Sequence, residues 1–116
     1  PWGENGPGTA HCLTLVLDTY DNLVGQTQAI GIRLNVNGVM VAYHPANPYT
    51  GGAVVPVEVH YTAATGVTVL YNGTPIFTNI AVPAFTLQAG DQYGFGGRTG
   101  GANEVNVVDD VFIRAR

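Results

Sequence analysis

The chain has no serine, no lysine and a single cysteine in 116 residues. Without serine there is no Gly-x-Ser-x-Gly turn to present an acyl-transfer nucleophile. Without lysine, four arginines carry all the positive charge, and the net charge is −4. No basic stripe can then track phosphates, which argues against nucleic acid as a partner. One cysteine cannot make an intrachain disulfide. Cys12, at the start of an apolar stretch, is a buried thiol or one half of an interchain bridge. Charged residues make up only 10% of the chain, against roughly 25% in ordinary soluble domains. Much of the surface must then be Thr, Asn, Gln, Gly and backbone. That suits a secreted or surface-exposed β protein, or one that hides surface against identical copies. No apolar run approaches the roughly 20 residues of a membrane-spanning helix. No basic stretch followed by an apolar one opens the sequence, so a signal peptide is expected to have been removed or to lie upstream.

What is present is period-2 alternation. Hydrophobic residues form 46% of a 12.1 kDa chain, enough for the packed core of one domain. Cys12 to Tyr20 reads as a strand, followed by a polar loop from Asp21 to Gln28. Ala29 to Val36 and Val39 to His44 form a hairpin around Asn37-Gly38, because Asn-Gly supplies the two positive φ angles of a tight turn. Residues 44–52, rich in Pro and Gly, are a loop. Val54 to Thr62 is a strand whose Pro56 favours an edge or a bulge. Thr65-Gly66 turns into Val67 to Tyr71, and Asn72-Gly73 turns into Thr74 to Asn79. The sequon Asn72-Gly73-Thr74 is either a glycan acceptor or simply this hairpin turn. Residues 80–89 are mixed, with room for a short strand after Pro83. Gln92 to Arg98 and Val105 to Arg114 are expected to be the last two strands. Strands about ten residues apart with turns between them describe an all-β sandwich or barrel. Residues 1–11 are an irregular Gly/Pro-rich arm, and residues 12–116 are the domain.

Two segments carry a resemblance. The first is Leu15-Val16-Leu17-Asp18-Thr19-Tyr20-Asp21-Asn22, followed by Ile30-Gly31-Ile32. The second is Tyr93-Gly94-Phe95-Gly96-Gly97-Arg98-Thr99-Gly100 with Glu104-Val105-Asn106. Together they resemble the concanavalin A-like lectin/glucanase superfamily, specifically legume-type lectins and similar modules of bacterial surface proteins. The resemblance implies an antiparallel jelly-roll sandwich that binds carbohydrate through loops, outside the cell or on its surface. It spans nearly the whole chain but only the second half of a full lectin domain. The sandwich is then smaller than usual, a processed piece, or completed by neighbouring chains. Open sheet edges recruit partner strands, so a homo-oligomer or polymer is the alternative reading.

By that resemblance, Asn22, Tyr20, Thr99, Gly100 and Asn103 would contact sugar. Asp18, Tyr20 and Asn22 would hold calcium, which takes carboxylate, carbonyl and amide oxygens. The rest of the family's metal set is missing: Val16 stands at its glutamate, Gln26 near its later aspartate, and Ala29 at its histidine. Asp18 is equally a strand-end carboxylate that accepts loop N–H groups. Trp2, Tyr43 and Tyr49 are further stacking candidates or core packing. Arg98 either contacts sugar or pairs with Asp109 or Asp110. No catalysis is expected. Glycoside hydrolysis needs two carboxylates facing one bond, whereas Glu4, Glu58 and Glu104 stand apart. Asp109 and Asp110 are adjacent, so on a strand they face opposite sides. His11, His44 and His60 have no ligand spacing.

Overall fold

The computed structural model describes residues 10–21, 30–98 and 104–115. Two Asn-Gly pairs set its local architecture. Asn37 and Gly38 sit at φ 52° and 79°, and Asn72 and Gly73 at 51° and 76°. These are the left-handed angles that match the twist of a two-residue hairpin. The first pair joins β2 (Gly31–Val36) to β3 (Val39–His44), and the second joins β5 (Gly66–Tyr71) to β6 (Thr74–Ile80). β1 (Leu13–Asp18) pairs antiparallel with β2, and β4 (Val57–Thr62) pairs antiparallel with β5. The result is two three-stranded antiparallel sheets, ordered β1-β2-β3 and β4-β5-β6.

The core lies between the central strands. Ile32, Leu34 and Val36 of β2 meet Val67 and Val69 of β5, with Phe77, Val82 and Phe85 closing the cluster. β3 lies against β6 where the sheets meet. Gly66 is required at its place: at φ 78°, an added Cβ would stand 2.0 Å from the Ile80 carbonyl oxygen. β6 carries extra residues opposite β5. At Asn79 the backbone turns to φ 51°, and the Thr68 hydroxyl accepts the Asn79 N–H at 3.0 Å. The side chain of Asn37 ties the β2–β3 turn to the entry of β1 and to the turn that follows β6. It accepts the Cys12 N–H at 2.9 Å and donates to the Ala84 carbonyl at 3.2 Å.

Pro56 falls just before β4, which is an edge strand as its missing donor demands. Three expected strands are corrected. Residues 83–84 form a turn, closed by the Phe85 N–H on the Val82 carbonyl at 3.0 Å, and no strand follows it among the described residues. Residues 92–98 and 105–114 are not strands either. Neither segment finds a ladder partner among the described residues. Asp110, at φ 50°, also breaks the second segment, with its N–H turned onto the Asp109 carboxylate at 2.9 Å. Among the described residues no helix is long and apolar enough to cross a membrane.

Candidate functional site

The two sheets are joined along β3 and β6 and open along β1 and β4. The open side is a broad cleft of about 2790 Å³, bordered by all of β1, all of β4, residues 92–98 and residues 104–115. A smaller hollow of about 560 Å³, between the Ala63–Gly66 turn and Val82–Phe85, carries no charged side chain.

At the end of β1 the chain gathers its polar groups. Asp18 Oδ2 accepts from Arg33 Nη2 at 2.9 Å, and Asp18 Oδ1 accepts the Tyr20 N–H at 3.1 Å. The pair is largely hidden, with the side chains 4% and 14% exposed for Arg33 and Asp18. Thr19 donates to Glu104 Oε2 at 2.5 Å. That contact brings the strand end beside the start of the C-terminal segment. Tyr20 is 60% exposed there, its ring open to solvent.

The other expected site residues divide. Trp2, Asn22, Thr99, Gly100 and Asn103 lie outside the described residues. Tyr49 is exposed and borders the cleft. Tyr43 is not on it; its hydroxyl donates to the Ile30 carbonyl at 2.7 Å and its ring covers Gly31. Arg98 lines the cleft, as do Asp109 and Asp110.

Of the residues the resemblance would give to calcium, Asp18 and Tyr20 are described. They do not fit a cation as they stand, because the Arg33 guanidinium already neutralises Asp18 and both carboxylate oxygens are engaged. No group of three or more His, Cys, Asp or Glu side chains converges among the described residues. Asp18 sits at the strand end and accepts a loop N–H there, while Asn22, the third residue of that set, lies outside the described residues.

Arg33 is the residue that sequence reasoning missed. It sits on the second face of β2, where Arg33 and Asn35 alternate with Ile32, Leu34 and Val36, and all six residues of the strand are buried. A charged residue inside an otherwise apolar alternation was the available signal, since a buried charge needs a partner.

The histidines occupy three separate places. His11 stacks on Phe85 with centroids 5.2 Å apart, and its Nε2 lies 3.1 Å from Asp91. Asp91 also accepts the Gln88 N–H at 2.7 Å, the first cause that lowers its pKa, with the His11 contact adding to it. His44 meets Phe77 edge-on, and His60 pairs with Glu58 on the exposed face of β4. No protein-family model, curated protein or solved structure matches the chain.

Proposed function

We propose that this chain is a non-catalytic carbohydrate-binding module of lectin type, built as a concanavalin A-like jelly roll and displayed outside the cell. The observation that carries the reading is the Thr19–Glu104 hydrogen bond. It draws together parts of the two segments that bear the resemblance, so Tyr20 and Glu104 both lie at one end of β1. A sugar ring needs an apolar face and polar groups fixed in direction. Exposed Tyr20 offers the first, and the Asp18–Arg33 pair fixes the backbone beneath it. Binding is expected to be independent of calcium, because Arg33 already supplies the positive charge. A glycan array with and without a chelator tests both points. A blank array removes the lectin reading, and loss of binding with chelator removes the role given to Arg33.

A second reading has its own observation. Val105, Val107 and Phe112 are 88%, 77% and 76% exposed, and Leu17 and Val59 on the facing edges are also open. An apolar segment left bare beside open sheet edges favours a self-assembling structural subunit joined by strand pairing or exchange. Sedimentation velocity over a wide concentration range tests it, and a monomer throughout removes it.

A further inference from the structure

We propose that the edge of β1 is a strand-acceptor site, filled by the C-terminal segment of a second copy of this chain in a reciprocal, two-fold exchange. The proposal rests on the assembly reading and names its donor and its acceptor.

The acceptor follows from backbone chemistry. Every residue of β1 borders the cleft, and β1 is the outer strand of its sheet. Among the described residues β1 pairs only with β2. A row of free amide and carbonyl groups is met by another extended backbone, which makes the ligand a polypeptide in β conformation. Natural edges are protected by lysine, proline, bulges or inward charges. The edge strand β4 has Pro56 before it and the exposed Glu58–His60 pair on it. β1 reads Leu-Thr-Leu-Val-Leu-Asp and has none of these before its last residue.

The donor is in the same sequence. Successive residues of an extended chain face opposite sides. Val107 and Val108 are 77% and 55% exposed, so neither side of that stretch is covered. In a finished sandwich one parity would be hidden. The stretch Val105–Val108 carries no charge to oppose insertion. The chain's own copy begins at Glu104, held at the end of β1 by Thr19, yet makes no ladder with β1. Reciprocal exchange closes as a two-fold dimer, because each copy gives one segment and receives one.

The test is sedimentation velocity on the chain and on two variants, Val107→Lys in the donor and Leu17→Lys in the acceptor. Both residues are already solvent-exposed, and circular dichroism checks that the variants keep their sheets. The expected particle is twice the 12.1 kDa chain. Each variant alone should weaken association about 30-fold or more, as for a central interface residue. Mixing the two should restore part of it, because one intact donor then meets one intact acceptor. A dimer indifferent to both variants overturns this exchange but leaves assembly standing. A monomer at every concentration overturns both.

Discussion

The two hairpin-built sheets and the C-terminal quarter share one sequence pattern and have different fates. Val57–Thr62 alternates apolar and polar residues and becomes β4. Val105–Val108 offers a similar run of valines and stays unpaired and exposed. Alternation states what a strand can bury, not what it can bond to. β5 and β6 are two residues apart, and their partner is supplied by an Asn-Gly turn. The C-terminal segment lies beside residues 92–98, where Gly97 faces the Asn106 side chain, yet the two make no ladder among the described residues.

Substitutions sharpen this contrast. The largest effect is expected in the central strands: Leu34→Ala should cost about 3–4 kcal/mol in urea denaturation, as for a fully buried leucine. Val107→Ala, measured the same way on the monomer, should stay within about 0.5 kcal/mol. Equal costs would erase the distinction. Arg33→Ala should cost about 3 kcal/mol by leaving Asp18 with its charge uncompensated, and Asp18→Asn in the same background should cost much less than it does alone. If the two losses simply add, the pair is not coupled. Gly66→Ala should cost about 3 kcal/mol, since it adds both a left-handed backbone penalty and a clash with a carbonyl.

A smaller effect is expected at the clasp between His11 and Asp91. The Gln88 N–H and His11 hold the Asp91 pKa below its usual value. A carboxylate lowered on folding contributes stability above its unfolded pKa and loses it as pH falls through the folded one. The difference in melting temperature between the wild type and Asp91→Asn should therefore be constant near neutrality and shrink below pH about 4. A difference that grows on acidification would contradict the assignment.

Much of the fold was legible because the turns announce themselves. Asn37-Gly38 and Asn72-Gly73 announced the β2–β3 and β5–β6 hairpins, and Pro56 marked an edge. The expected strands at 92–98 and 105–114 failed because nothing in local sequence says whether a partner is available. The site was legible only in part. Asp18 stood out in the sequence, but its partner Arg33 lies fifteen positions away on β2 and meets it only through the β1–β2 register. Tyr43 could be a stacking surface or packing by sequence alone, and its hydroxyl is held by the Ile30 carbonyl.

Amide hydrogen exchange read residue by residue on a highly dilute sample tests the central contrast most directly. The amides of β2 and β5 should open only with global unfolding, while those of Val105–Ile113 should exchange close to the unprotected rate and slow as concentration rises. Protection of Val105–Ile113 equal to that of Ile32 and Leu34 in the dilute monomer would contradict the account.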